Sequence, residues 1–179
     1  MADLLPPVAD GAADHLTPGL ALPPVTLPAT KGQDICVAAL AGRSVIVVYP
    51  WTGCPGAPNP PGWDDIPGAH GSTPELEGFR DVHAEFLRLG VSLFGLSRQT
   101  TDYQNELAAR LRLPFPVLSD AQGQFAAALA LPSFVAGGES YLKRLTLVIA
   151  DGEIETVFYP VADLAGHAGE VLRWLEGQT

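Results

Sequence analysis

The order of apolar and polar stretches along the chain predicts a series of strands and helices. Apolar runs at Ile35–Leu40 and Ser44–Tyr49 flank the short turn Ala41–Arg43. The second run is continuously apolar and rich in β-branched residues, as in a central strand covered on both faces. Pro50 ends this strand, because proline cannot donate a hydrogen bond to a neighbouring strand.

A strong helix start follows at Ser72-Thr73-Pro74-Glu75, where a capping hydroxyl precedes a first-turn proline and an acidic residue. Apolar side chains then recur at helical spacing, which predicts a helix up to Gly90. Further along, the pattern predicts a strand, a helix, a short extended segment and a small helix, at Val91–Leu96, Thr101–Leu113, Phe115–Leu118 and Phe125–Leu131.

The last third of the chain predicts a hairpin and a closing helix. Tyr141–Ile149 and Ile154–Tyr159 form the hairpin about Asp151-Gly152, and Asp163 opens the helix. A βαβ unit followed by an antiparallel hairpin and a helix gives a mixed central sheet flanked by helices. The predicted fold class is therefore α/β, with the layout of an elaborated thioredoxin-like fold.

Two segments are predicted to lie outside the regular elements. Residues 1–31 are rich in Pro, Ala and Leu without a period, and indicate an extended N-terminal arm laid over a single domain at residues 32–179. Residues 51–71 are rich in Pro and Gly and form a long connection, of the kind that is usually functional. Trp51 and Trp63 in this connection favour a packed loop.

Composition narrows the function classes. The formal net charge is −10 and the chain has no basic run, which argues against nucleic acid and anionic membrane surfaces as partners. Two cysteines, Cys36 and Cys54, are too few for a disulfide-rich secreted scaffold, and we expect Cys36 to be a small core residue. The first residues lack the charge and apolar run of a signal peptide, so we expect a cytoplasmic protein.

The natural site in such a sheet lies between the carboxyl end of a central strand and the start of the next helix. Helix N-terminal N–H groups stabilise an anion there, and a cysteine at this point becomes a nucleophile. This chain has Ser72 at that point, with His70 close by as an acid/base candidate. We expect His83 and His167 to lie on exposed helix faces.

Several ordered motifs resemble the peroxiredoxins of the bacterioferritin-comigratory, or Q-type, group. That group has a strand ending in Tyr-Pro, followed by Gly-Cys-Thr-x-x-x-Cys-Gly-Phe-Arg-Asp. The resemblance spans roughly residues 22–175. The matching segments are Val47–Pro50, His70–Asp81, Phe94–Ser97, Leu113–Asp120 and Lys143–Ile149.

This resemblance implies a thiol-dependent peroxidase that reduces hydrogen peroxide or organic hydroperoxides through a cysteine sulfenic acid. It places the peroxidatic position on Ser72, and it matches Pro50 and Arg144 to the proline and arginine that shape the pocket and hold the thiolate. Thr52 and Cys54 follow Pro50 in a shortened Pro-x-Thr-x-Cys pattern. The implied partners are a peroxide and a thiol reductant such as thioredoxin or glutaredoxin/glutathione, with no metal or organic cofactor. Monomer and homodimer both stay open.

Serine cannot replace the thiol, because its hydroxyl stays protonated when no base is beside it. Three explanations stay open. Ser72 is an engineered Cys-to-Ser change, with Cys54 then the candidate resolving thiol; or Cys54 has taken over the role of nucleophile; or the chain is a thioredoxin-fold binding or regulatory module that has lost the reaction and uses the Trp51–Trp63 loop. Structural roles are alternatives for each residue. Ser72 is also a natural helix N-cap, Cys54 an inert loop thiol, and Arg144 an ion-pair partner.

Overall fold

A computed structural model describes residues 5–179, so the first four residues of the predicted arm lie outside the described part of the chain. The strands are β1 (Thr26–Pro28), β2 (Asp34–Cys36), β3 (Arg43–Val48), β4 (Val91–Ser97), β5 (Val117–Ser119), β6 (Ser133–Ala136), β7 (Glu139–Leu142), β8 (Leu145–Ala150) and β9 (Glu153–Phe158). The α-helices are α1 (Ser72–Asp81), α2 (His83–Arg88), α3 (Thr101–Leu111), α4 (Gln124–Leu129) and α5 (His167–Gly177).

The central sheet has the strand order β5-β4-β3-β8-β9. Strands β3, β4 and β5 run parallel, while β8 and β9 run antiparallel beside β3. Side chains alternate along β3, so Ile46 and Val48 enter one core and Val45 and Val47 enter the other. Helices α1, α2, α3 and α5 cover the second core, and α4 with the N-terminal arm covers the first. The predicted mixed α/β fold is confirmed.

The predicted helix over residues 72–90 is in fact two helices, because the backbone leaves the helical conformation at Val82 (φ −111°, ψ 14°). The two halves pack against different partners, α1 against α5 and α2 along β4. Phe79 and Phe86 still share one core, with ring centroids 5.7 Å apart. The apolar spacing therefore predicted the buried face correctly but not the bend.

The predicted strand over Tyr141–Ile149 is also interrupted. Its first part belongs to β7, which pairs with β6 across the turn Gly137-Gly138, a hairpin absent from the sequence prediction. Lys143 and Arg144 then separate β7 from β8, and the Lys143 N–H donates to the carbonyl of Pro132 instead of to the central sheet. This break frees Arg144 to turn inward.

Tertiary contacts also shift the ends of two further predicted elements. The predicted strand at Ile35–Leu40 gives way to a single 3₁₀ turn after Cys36, and α5 begins at His167 because Asp163 closes a separate turn onto the Gly166 N–H. Cys36 is half-buried and not part of the core. His167 was expected to be exposed but is completely buried. Its ring packs edge-on against Phe79 and Phe158 and lies 2.8 Å from the Thr146 hydroxyl.

The N-terminal arm packs closely on the domain. Ala13, Leu16, Leu22 and Leu27 are buried in the first core, and β1 of the arm pairs with β2. The boundary between the N-terminal arm and the domain at residue 31 remains a prediction. Among residues 5–179, no helix combines the length and apolar character that crossing a bilayer requires.

Candidate active site

The start of α1 lies beside the carboxyl end of β3, as the sequence predicts for a site. Ser72 is the first residue of α1 and is 3% exposed. The alternative role of Ser72 as N-cap is wrong, because Gly71 occupies that position with a left-handed backbone (φ 103°). A Cβ at Gly71 would lie 1.9 Å from Cδ1 of Leu164, so glycine satisfies both the backbone conformation and the packing.

Arg144 joins the central sheet to this helix start. It is 5% exposed, and its Nη2 donates to Ser72 Oγ at 3.2 Å. The same nitrogen lies 3.1 Å from the carbonyl oxygen of His70 and 3.4 Å from that of Ala69. The guanidinium therefore fixes the loop before α1 and the Ser72 hydroxyl together. Arg144 therefore contacts Ser72, and the role that the resemblance implies for it stays a prediction.

Glu75 neutralises the charge of Arg144 and was missed as a site residue. Its Oε2 accepts from Arg144 Nη1, and both side chains are nearly inaccessible to solvent. Its Oε1 is buried and has no hydrogen-bond partner among the described residues. The sequence interpretation treated Glu75 as a complement to the helix dipole. Its position three residues after Ser72, one turn along the same helix face, was the available signal.

A cavity of about 160 Å³ opens above Ser72. Its walls are formed by the residues after β3, the two tryptophans of the loop and the first turn of α1. The lining residues are Trp51, Thr52, Gly53, Asn59, Trp63, Ala69, His70, Gly71, Ser72, Thr73 and Pro74. Peroxides of a few heavy atoms fit a space of this size, because one liquid water takes about 30 Å³.

Thr52 and Pro50 occupy different places around this cavity. Thr52 lines it, but its Oγ1 donates to Gln99 Oε1 at 3.1 Å, and its backbone N–H donates to the same oxygen at 3.2 Å. The Thr52 carbonyl in turn accepts from Gln99 Nε2 and from the Tyr103 hydroxyl, at 3.1 and 2.9 Å. Pro50 is buried and lines a neighbouring cavity, not the one at Ser72. Gln99 and Tyr103 were absent from the sequence-predicted site.

Cys54 is half-buried and follows Gly53, which lines the Ser72 cavity, although Cys54 itself does not. Arg110 Nη2 donates to the carbonyl of Gly53 at 3.0 Å. The pKa of Arg110 is raised, first by its hydrogen bond with Glu106, with a smaller contribution from Cys54. Burial raises the pKa of Tyr103, and Cys54 adds to that rise. Cys54 therefore lies within electrostatic range of the Arg110 guanidinium and the Tyr103 phenol.

The loop over residues 51–71 is packed, as its tryptophans predicted. Trp63 is 3% exposed and lies edge-on to Trp51 and Tyr141, with ring centroids 5.4 and 5.0 Å away. His70 Nε2 lies 2.7 Å from Asp64 Oδ1, so its ring is held at the cavity wall by an exposed carboxylate. Within residues 5–179, His, Cys, Asp and Glu side chains form no cluster of three or more that suits a metal ion.

Fold and site together define a thioredoxin-like α/β protein with a buried arginine at the start of a helix. The sequence profile of the Redoxin family matches residues 17–170, and the chain belongs to this family. It is 28% identical over 161 residues to a Coxiella burnetii protein classed as peroxiredoxin bcp, covering 86% of this chain and 95% of the relative. Chloroplastic peroxiredoxin Q of Sedum lineare is 26% identical over 163 residues, covering 90% of this chain and 78% of the relative.

Solved structures agree with these relatives. The crystal structure of the peroxidoxin BcpB of Mycobacterium tuberculosis superposes with a TM-score of 0.73 at 27% identity, covering 92% of this chain and 99% of that chain. The predicted family, Q-type peroxiredoxin, is confirmed, and with it the class of thiol peroxidase that acts on peroxides with thiol reductants. The roles of individual residues stay predictions.

Proposed function

We propose that this chain reduces small hydroperoxides with Cys54 as the attacking sulfur, in the cavity at Ser72. The observation that carries the proposal is that Gly53 and Ser72 line one cavity, with Cys54 next in the chain to Gly53. Consecutive Cα atoms are about 3.8 Å apart, so the Cys54 backbone lies one residue from the cavity wall, and the proposal requires its side chain to turn toward the cavity. Cys36 lies in β2 and lines none of this space.

Each neighbouring group has a role in this proposal. The Cys54 thiolate attacks one peroxide oxygen, forming an S–O bond as the O–O bond breaks, and the leaving oxygen takes up a proton as water or alcohol. Ser72 Oγ accepts from Arg144, so its own hydrogen is free to donate to the leaving oxygen. Arg144 orients the Ser72 hydroxyl. Thr52 and Pro50 hold the loop in place. The N–H groups at the start of α1 favour the negative charge that develops on the leaving oxygen.

The test compares the same substitution at both cysteines. Consumption of hydrogen peroxide and of tert-butyl hydroperoxide is measured with dithiothreitol for the wild type, Cys54→Ala and Cys36→Ala. We expect turnover in the wild type and in Cys36→Ala, with a loss of at least about 100-fold in Cys54→Ala because nucleophilic attack requires the thiolate. Dimedone should label Cys54 after one equivalent of peroxide. Equal rates in the two cysteine variants would overturn the proposal.

The alternative is a redox-inactive binding or regulatory module. It is favoured by one observation, that Ser72 has a cation rather than a base beside it and so cannot act as a nucleophile. The aromatic loop offers this module little surface, since Trp63 is buried and Trp51 half-buried. No peroxide consumption by the wild type, together with no labelling of Cys54, would favour this alternative.

The proposal also covers the cellular location of the protein, its reductant and its oligomeric state. We place the protein in the cytoplasm, where thioredoxin and glutaredoxin/glutathione are the candidate electron donors and free thiols such as Cys36 and Cys54 persist. A homodimer is the assembly to test against a monomer. Sedimentation at two protein concentrations distinguishes them, and turnover with each reductant ranks the donors.

A further inference from the structure

A second cavity, of about 280 Å³, lies beside the cavity at Ser72 and is not used by the reaction proposed above. Trp51 lines both cavities. The second cavity is bounded by the end of β3, the start of α3 and the β6–β7 hairpin. Its lining residues are Pro50, Trp51, Arg98, Gln99, Thr100, Tyr103, Ala121, Glu139, Ser140 and Tyr141.

Arg98 gives this cavity an unsatisfied positive charge. Within residues 5–179 its guanidinium has no carboxylate within 4.0 Å, and its Nε is buried without a hydrogen-bond partner. Arg43, Arg110 and Arg144, by contrast, each pair with a glutamate. A half-buried guanidinium without a partner is costly, and an anionic ligand that accepts its fork of N–H groups removes that cost.

Glu139 gives the same cavity a negative charge at the end of the β6–β7 hairpin. It is exposed and makes no ion pair among the described residues, so it is available to a cationic group. The hydroxyls of Thr100 and Ser140 add neutral polar groups, while Trp51 and Tyr141 supply apolar wall. A cavity with one cation, one anion and aromatic sides suits a zwitterion of amino-acid to small-peptide size.

The second cavity also adjoins the loop that carries Cys54. Gln99 and Tyr103 line it and both donate to the carbonyl of Thr52. Cys54 is two residues beyond Thr52, so their Cα atoms are at most about 7 Å apart. Tyr103 lies within electrostatic range of Cys54, so the wall of the second cavity and this thiol share one part of the surface.

We propose that this cavity binds the reductant, a low-molecular-weight thiol that carries both a carboxylate and an amine, with the carboxylate on Arg98 and the amine toward Glu139. The inference rests on the proposed function of Cys54. The bound thiol attacks the Cys54 sulfenic acid, forming a mixed disulfide as the hydroxyl leaves with the thiol proton as water. A second thiol then attacks the ligand sulfur, which releases the Cys54 thiolate and a symmetrical disulfide.

Binding is tested with S-methylglutathione, whose blocked sulfur cannot react. Calorimetry should give a measurable Kd for the wild type, a Kd at least about tenfold higher for Arg98→Met, and one raised up to about fivefold for Glu139→Gln. Arg173→Met, at an exposed arginine on α5, is the matched control and should bind as the wild type does. No binding to the wild type, or equal Kd values in Arg98→Met and Arg173→Met, would overturn the inference.

Kinetics separate this inference from the proposed function. Arg98→Met should raise the KM for glutathione at least about tenfold and leave turnover with the uncharged dithiothreitol unchanged. Equal losses with both reductants would count against the site. If the wild type shows no turnover with dithiothreitol while S-methylglutathione binding still depends on Arg98, the proposed peroxidase function fails and the ligand site stands.

Discussion

Arg144 Nη2 donates to Ser72 Oγ at 3.2 Å, across 72 residues of sequence. This contact connects the segment between β7 and β8 to the first residue of α1. The same guanidinium forms a buried ion pair with Glu75, so the hydroxyl at residue 72 contacts a cation whose charge is balanced inside the protein.

The first prediction concerns a thiol at residue 72. In a Cys36→Ala/Cys54→Ala background, Ser72→Cys should have a thiol pKa at least about one unit below the usual 8.5, because Arg144 and the start of α1 both favour the thiolate. Absorbance at 240 nm against pH measures this value, and the background without Ser72→Cys is the control. A pKa at or above 8.5 would mean that Glu75 cancels the effect of Arg144.

The second prediction concerns the buried ion pair. Glu75→Gln should lower the free energy of unfolding by about 3–5 kcal/mol, because it leaves the Arg144 charge buried without a counter-ion. Glu77→Gln is the matched control on the same helix. Its long contact with Arg80 (3.8 Å) is half-exposed, so its loss should cost less than about 1 kcal/mol. Urea denaturation measures both, and similar losses would contradict the assigned role of Glu75.

The third prediction concerns the backbone before Ser72. Gly71→Ala should destabilise the protein more than Gly90→Ala, although both glycines have a left-handed backbone (φ 103° and 72°). At Gly90 nothing lies within 4 Å of an added Cβ, so only the backbone cost of about 1–2 kcal/mol applies. At Gly71 the added Cβ also meets Leu164. Urea denaturation should show the difference narrowing when Leu164→Ala is combined with Gly71→Ala, and a constant difference would refute the packing argument.

The fourth prediction concerns the N-terminal arm and pH. The pKa of Asp10 is lowered by hydrogen bonds from Lys143, from the Tyr159 hydroxyl and from the Ala12 N–H. A carboxylate with a lowered folded-state pKa stabilises the fold fully above its unfolded value, here 3.8, and loses that contribution as pH falls toward the folded value. Asp10→Asn should therefore be less stable than the wild type at pH 7, with a difference that shrinks below pH 3.8.

Thermal unfolding of the wild type and Asp10→Asn between pH 7 and pH 2.5 measures this effect. Asp14→Asn, in the same arm and without an ion pair among the described residues, is the control and should show no such convergence. A stability difference for Asp10→Asn that is independent of pH would contradict the assignment.

The apolar pattern by itself determined which segments are buried and their order, and the resemblance of short motifs indicated the family. The continuous β-branched run gave β3 and the apolar run at Val91–Leu96 gave β4, while Ser72-Thr73-Pro74 located the start of α1 to within one or two residues. These features are local, because the spacing of neighbouring apolar side chains determines which face of a strand or helix is buried. The family motifs likewise lie within short segments.

Only the tertiary structure decided how charges and element ends are arranged. Arg144 and Glu75 lie 69 residues apart, and no local spacing reports that they share one buried pair or that β7 and β8 separate to allow it. Among the described residues the Arg98 guanidinium has no carboxylate partner, and this depends on every element that packs around it. Such contacts join distant parts of the chain, so their energies appear only when the chain is folded.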